Sequence, residues 1–184
     1  EVEKTVDMLG GAGNVMKNLS NLGISVTILS AIGNDNNGQI ILDKINKINI
    51  DTKTVFQSSD LLTNYKMRII ANNQHVVRAD WDSSSLNQVQ EAKLCNIVET
   101  LSSTVDAVII SDYLKGVCAE KITQKLINTF NQADKPIFVD PKGSSWEKYS
   151  GATFITPNIK EISIVLGENP KSNDDFIDAG KKIL

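Results

Sequence analysis

Ala107-Val108-Ile109-Ile110-Ser111-Asp112-Tyr113-Leu114-Lys115-Gly116 reads as a short apolar strand running straight into a polar cluster. The pattern occurs twice more. Residues 137–139 lead into Asp140-Pro141-Lys142-Gly143, and residues 153–155 into Thr156-Pro157-Asn158, with Glu161 one helical turn later. A helical pattern over residues 119–130 and a shorter connection around Trp146 separate the three runs. Short apolar runs alternating with helices predict a mostly parallel α/β sheet, whose ligand crevice lies outside the carboxyl ends of its strands. Taken singly, Asp112 and Asp140 fit turn-formers, Lys115 and Lys142 solvated loop lysines, and Asn158 with Glu161 a capping box. Their recurrence at the same end of successive strands points to a site.

Working toward the N-terminus, the same alternation begins at Leu9-Gly10-Gly11-Ala12-Gly13-Asn14-Val15, a glycine-rich turn that enters a helix. Glycines admit close approach of the backbone, and a helix start offers unpaired N–H groups to a polar ligand. A flexible helix start with no ligand explains these residues equally well. Val15, Leu19 and Leu22 follow at helical spacing, with Gly23 placed to end the helix. Residues 24–32 read as a buried strand ending at Gly33-Asn34-Asp35, and residues 37–48 as a second helix. A further strand is expected over residues 2–7 and a helix over residues 86–101. The last residues, 176–184, form an unfinished helical pattern, so the chain reads as incomplete at both ends.

Residues 52–81 change character, alternating apolar and polar as an antiparallel, half-exposed sheet does. Tyr65, Met67 and Ile69 share one face with Val77, Ala79 and Trp81; Lys66, Arg68, Arg78 and Asp80 share the other. The apolar faces coincide only if residues of equal parity pair across the turn. A two-residue turn at Asn72-Asn73 fails that test, whereas a three-residue turn through Gln74 sets Arg68 opposite Arg78 and Lys66 opposite Asp80. Two opposed arginines repel unless something neutralises them. A solvated charged face and a bound phosphate both satisfy the pattern.

Composition narrows the class. The 184 residues are 41% hydrophobic and 22% charged, ordinary for one globular domain, and the formal net charge of −3 gives no support to nucleic-acid or anionic-membrane binding. With no apolar run of bilayer length and no basic-then-apolar leader, a cytoplasmic location is expected. Cys95 and Cys118 suit packing in a reducing compartment, and His75, the lone histidine, reads as a surface residue beside a turn. Asp, Asn and Glu oxygens at strand ends suit Mg²⁺, which keeps most of its waters, and neighbouring Lys and Arg suit phosphate. No G-x-x-x-x-G-K-[ST] is present, and Gly11-x-Gly13-x-x-Met16 breaks the dinucleotide fingerprint.

Gly10-Gly11-Ala12-Gly13-Asn14, with Gly23 and Gly33 at their spacing, resembles the N-terminal signature of the ribokinase-like (PfkB-type) carbohydrate kinases, with Met16 where a small residue is usual. Tyr65-Lys66-Met67-Arg68, Gln74 with Arg78-x-Asp80, Ser111-Asp112-Tyr113-x-Lys115-Gly116, Asp140-Pro141-Lys142-Gly143, and Tyr149-x-Gly151-Ala152-Thr153 leading to Asn158-x-x-Glu161 are similar to the heptose-7-phosphate kinase branch. That resemblance implies a three-layer α/β fold with a small antiparallel β lid, and ATP-dependent phosphorylation of D-glycero-β-D-manno-heptose 7-phosphate at O1, on the way to ADP-heptose for lipopolysaccharide core. By the same resemblance, Gly10, Gly11 and Asn14 bind the sugar, and Lys66, Arg68 and Arg78 hold the 7-phosphate. By position, Asp112, Lys115, Asp140 and Lys142 border the path between sugar and nucleotide, Asp112 and Lys115 on the substrate side and Asp140 and Lys142 on the side of the nucleotide phosphates. Asn158 and Glu161 order Mg²⁺ and the nucleotide phosphates, largely through water, and the lid at residues 52–81 forms a homodimer contact. The family's catalytic Gly-Ala-Gly-Asp is not in these residues. The chain therefore reads as the N-terminal and central part of a kinase domain, residues 1–184, inactive without the catalytic and adenine-binding part. A kinase for another sugar or sugar phosphate, and a non-catalytic binding or assembly module, are the competing readings.

Overall fold

A computed structural model describes residues 3–72 and 74–183. The chain divides into two compact units, Glu1–Leu94 with Lys115–Val117, and Cys95–Leu114 with Cys118–Leu184.

In the first unit the glycine turn opens helix α1 (Ala12–Asn21), which buries Met16 against Ile45 and Ile50, with Leu9, Val26, Ile28, Ile41 and Ile48 packed around them. Gly23, at φ 80°, turns the chain after the helix as its position predicts. Strand β1 (Ser30–Gly33) is shorter than the expected 24–32, because only these four residues find a partner strand. The stretch before it is tied to its neighbour by a side chain instead, the Thr54 hydroxyl donating to the Ile28 carbonyl at 2.6 Å. Helix α2 (Asn36–Asn46) follows, capped by Asp35, whose carboxylate accepts from the Gly38 amide. The expected strand at residues 2–7 does not form over residues 3–7, and Val2 lies outside the described residues.

Strand β2 (Val55–Ser58) pairs in parallel with β1, Ser30 opposite Val55. This corrects the reading of residues 52–81 as antiparallel throughout: four residues of alternating polarity suit a parallel strand with one wet face as well as a hairpin strand. Strands β3 (Tyr65–Ala71) and β4 (Gln74–Trp81) form the antiparallel hairpin, with Arg68 opposite Arg78 and Lys66 opposite Asp80 as parity requires. The Tyr65 and Trp81 rings lie 5.4 Å apart on the apolar face. The turn, however, is not the expected three-residue one. Ala71 pairs with Gln74, so two residues connect the strands: Asn72, at φ 49°, and Asn73, which lies outside the described residues. Parity is restored by a bulge, where the register shifts between Ile69 and Ile70 and leaves Val76 without an opposite number.

Helix α3 (Gln88–Leu101) carries the chain from the first unit into the second. There β5 (Val108–Ser111), β6 (Ile137–Asp140) and β7 (Phe154–Ile155) make a parallel sheet in that order, joined by helix α4 (Glu120–Gln132) and by a one-turn helix at Glu147–Tyr149. Ile110, Ile137 and Val139 of the sheet and Ile122, Ile127 and Phe130 of α4 are buried. On the other face Ile109 and the stacked pair Phe138 and Phe154, centroids 4.9 Å apart, remain exposed. Helices α5 (Ile159–Leu166) and α6 (Asn173–Ile183) complete the described chain; the expected end of the last helix, Leu184, lies outside it.

Candidate functional site

The candidate residues of the first unit come from the glycine turn and the hairpin. Gly10 and Gly11 accept backbone hydrogen bonds from Gly13 at 2.9 Å and Asn14 at 3.0 Å, which closes the turn. Gly11, at φ 51° and ψ −128°, caps α1 with no side chain, so the first-turn amides receive no side-chain acceptor at that end. A Cβ on Gly13 would sit 2.9 Å from that of Leu9, while one on Gly10 would meet open space. Gly10 and Asn14 are exposed. A second knot sits at Gly33. The Thr63 hydroxyl accepts from the Gly33 amide at 3.0 Å, and Asp35 accepts from the amides of Gly38 and Thr63 at 2.8 Å each. Burial opposes ionisation of Asp35, but these donors outweigh it and hold its carboxyl below the usual range. The knot fixes the strand that enters the hairpin, and Asn64 closes the hairpin's base by accepting from the Ser83 amide at 2.7 Å.

On the hairpin's charged face Asp80 takes Arg78 Nε at 3.1 Å and Lys66 Nζ at 3.9 Å, leaving Arg68 with no ion pair among the described residues. Lys115 pairs with Asp82 just beyond β4. The bulge adds a residue to this face. His75 stands opposite Ile70, two residues from Arg68, so it shares the side of Arg68 and Arg78. A cavity of about 370 Å³ is lined by Arg68, His75, Val76, Val77 and Arg78.

In the second unit the strand ends meet. The Asp112 amide extends the β5–β6 ladder by donating to the Asp140 carbonyl at 3.2 Å. The Asp112 side chain is wholly buried: Oδ1 accepts from the Leu114 amide at 2.5 Å, and Oδ2 from Lys148 Nζ and the Tyr149 hydroxyl, each at 2.5 Å. Burial and this hydrogen bond push the Tyr149 phenol well above its ordinary pKa. Cys118, nearby, is pushed up to about 12 by burial and by the Asp112 charge, so it stays a thiol. Asn158 and Glu161 form a capping box at the start of α5: Asn158 Oδ1 accepts from the Glu161 amide at 3.1 Å, and Glu161 Oε2 from the Asn158 amide at 2.8 Å. Glu161 Oε1 pairs with Lys142. Burial works against the Glu161 charge, yet Lys142 and the Asn158 amide hold its carboxyl below the usual range, and the same hydrogen bond raises Lys142.

The profile of the pfkB family carbohydrate kinases matches residues 1–184. This chain belongs to that family. The bifunctional protein HldE of Trichlorobacter lovleyi is 41% identical over 160 residues, covering 86% of this chain and 33% of that protein. HldE of Aliarcobacter butzleri is 36% identical over 183 residues, 99% of this chain and 38% of that one. The chain thus spans 33% and 38% of the length of these two curated relatives. Among solved structures, Escherichia coli phosphofructokinase-2 in its tetrameric inhibited form superposes with a TM-score of 0.70 at 24% identity, over 95% of this chain and 58% of that one. Arabidopsis thaliana ribokinase complexed with ribose and ATP gives 0.72 at 14%, over 94% and 56%. Both share the fold.

For a pfkB-family kinase the donor set bears on metal binding. Among the described residues no three His, Cys, Asp or Glu side chains cluster as a metal cage. Both Glu161 oxygens already hold donors, but each keeps a further lone pair. That fits a Mg²⁺ ion which retains its waters and is reached through them. The sequence reading left out several residues that the structure draws in. Lys148 lies in no recognised motif, and only the chain's path brings it to Asp112; Asp35, at a strand end, caps α2 locally but reaches the Thr63 amide only through the fold. Asp82 lies past the hairpin. His75 carried one usable signal: a two-residue Asn-Asn turn combined with equal-parity pairing demands an extra residue, and that residue turns His75 over.

Proposed function

We propose that this chain carries the sugar-phosphate and nucleotide-phosphate parts of an ATP-dependent kinase that phosphorylates D-glycero-β-D-manno-heptose 7-phosphate at O1, a step toward ADP-heptose for lipopolysaccharide core. The observation that carries the reading is the hairpin face where Arg68 and Arg78 stand opposite each other beside Lys66. Like charges directly opposed destabilise a strand pair, and a phosphate between them turns that repulsion into attraction. In this reading Gly10, Gly11 and Asn14 hold the sugar hydroxyls, and Lys66, Arg68 and Arg78 the 7-phosphate. Lys115 lies at the sugar's edge; Asp140 and Lys142 serve the nucleotide phosphates; Asn158 and Glu161 order Mg²⁺ through water. Asp112, assigned to the sugar by resemblance, serves here by shaping the loop between β5 and Lys115. When bound, Mg-ATP supplies the transferable γ-phosphoryl, and these residues contribute position and countercharge.

The chain stands as the N-terminal and central part of the kinase domain. The 184 residues hold no Gly-Ala-Gly-Asp, so no turnover is expected from them alone. The exposed apolar side of the hairpin, with Ile69, Val77 and Trp81, supports a homodimer contact through the lid. A cytoplasmic setting agrees with the absence, among the described residues, of any helix long and apolar enough to cross a membrane.

Calorimetry with heptose 7-phosphate tests the reading. Arg68→Glu or Arg78→Glu is expected to weaken binding by at least about tenfold, since each reverses a charge-assisted phosphate contact. Unchanged affinity would overturn it, and binding of neither sugar phosphate nor Mg-ATP would favour an assembly module.

A further inference from the structure

Pro141, buried at the end of β6, has no N–H, so the Lys142 amide is the first backbone donor after the strand. Among the described residues it finds no backbone acceptor. It donates instead to the Tyr149 phenol oxygen at 3.1 Å. The phenol has one proton to give, and geometry assigns it to Asp112 Oδ2 at 2.5 Å over the Lys142 carbonyl at 3.3 Å. A phenol that donates to a buried carboxylate becomes a stronger acceptor, because each bond in such a chain polarises the next. A continuous hydrogen-bonded path therefore runs from the buried Asp112 carboxylate through Tyr149 to the partly buried backbone of Lys142. Beyond that anchor the chain turns at Gly143, φ 91°, and the Lys142 side chain reaches Glu161.

Everything else around Tyr149 serves to hold it still. Its ring is buried, with 3% of its surface exposed. Helix α4 grips the short helical turn that bears it, Gln124 Nε2 donating to the Lys148 carbonyl at 2.9 Å and Asn131 Nδ2 to the Gly151 carbonyl at 2.8 Å. Lys148 neutralises Asp112 from the other side and also donates to the Cys118 carbonyl at 3.2 Å. The two neighbours divide the labour. Lys148 balances the buried charge without touching Lys142, whereas Tyr149 passes the constraint on.

We propose that Tyr149 is a positioning residue which, through its hydroxyl, sets the backbone of Lys142 and thereby aims the Lys142 ammonium at a bound polyphosphate. The proposal rests on the reading of Lys142 as a nucleotide-phosphate ligand, and the test separates the two. Tyr149→Phe removes only the hydroxyl, and Lys148→Met disturbs Asp112 while leaving the Tyr149–Lys142 bond in place. Both variants are expected to lower the urea midpoint of the chain. Only Tyr149→Phe is expected to weaken binding of Mg-ATP and of inorganic tripolyphosphate, by about tenfold in calorimetry, the scale of one hydrogen bond to a charged network. The Lys142 amide proton resonance should move upfield in Tyr149→Phe and move much less in Lys148→Met, which removes the ammonium 5.0 Å from the Tyr149 ring centre but keeps the hydroxyl. Equal losses of affinity in the two variants, or an unmoved Lys142 amide in Tyr149→Phe, would overturn the positioning role. If the unaltered chain binds neither polyphosphate, the nucleotide reading fails, and the anchoring of Lys142 is then decided by the amide resonance alone.

Discussion

Replacing Asp112 with alanine should cost the second unit more than any other single polar change, and the structure allows the size to be worked out. The carboxylate is wholly buried and takes three donors. Without it Lys148, whose side chain is only 16% exposed, keeps its charge with no counter-ion. Stranding one member of a buried pair costs ~3–5 kcal/mol, and the lower end applies because the Lys148 ammonium retains the Cys118 carbonyl. The Leu114 amide also loses its acceptor, worth ~1 kcal/mol, while the Tyr149 hydroxyl can swing to the Lys142 carbonyl. The sum is about 4 kcal/mol, which at a urea slope of ~2 kcal/mol/M lowers the midpoint by about 2 M. Trp146 is buried in this unit and Trp81 is exposed in the other, so a Trp81→Phe background lets fluorescence follow the second unit alone. Asp112→Asn, which keeps the shape and one acceptor oxygen, should lose less. Asp112→Leu combined with Lys148→Met, which removes both charges, should recover part of the loss. A fall of less than ~0.5 M in Asp112→Ala would refute the reasoning, because it would mean that the carboxylate is not holding this loop.

The Lys142–Glu161 pair predicts a pH window. The Glu161 carboxyl is held below its usual 4.5, so its contribution is present above that value and is lost as pH falls through the lowered one. Lys142 is raised above its usual 10.5, so its contribution is present below that value and is lost as pH rises through the raised one. Urea midpoints should therefore hold between these limits and fall on both flanks, and Glu161→Gln should flatten the acid flank; an acid flank unchanged by that substitution would contradict the pairing. At Gly33 an added Cβ would lie 2.5 Å from both Asp35 Oδ2 and the Leu61 carbonyl, so Gly33→Ala should cost ~1–3 kcal/mol of first-unit stability. Gly10→Ala, with nothing near, should be close to neutral. Equal midpoints for the two alanine variants would show that the knot yields.

Much of this protein is written locally. Alternation of short apolar runs with helical patterns fixed the order of strands and helices from β5 to α5, because periodicity depends only on near neighbours. Parity along the hairpin likewise sufficed to set Arg68 against Arg78 and Lys66 against Asp80, since one slipped residue would have put the apolar residues of the two strands on opposite faces. The turn is not settled by parity. Parity counts residues but does not say where an odd one is housed, and here the strand took it at Val76 rather than the turn.

Local pattern was enough to show which polar clusters follow the strands of the second unit, which face of the hairpin is charged, and that Asn158 and Glu161 stand one helical turn apart. Tertiary structure alone decided what those residues do with their charges. Asp112 meets Lys148 across 36 positions and Tyr149 across 37, and Lys142 meets Glu161 across 19. Burial then converts these meetings into strong constraints, because a charge removed from water must find its partner within the fold. No local pattern marks Lys148 as that partner; only the path of α4 and the turn beyond β6 brings its ammonium to the buried carboxylate.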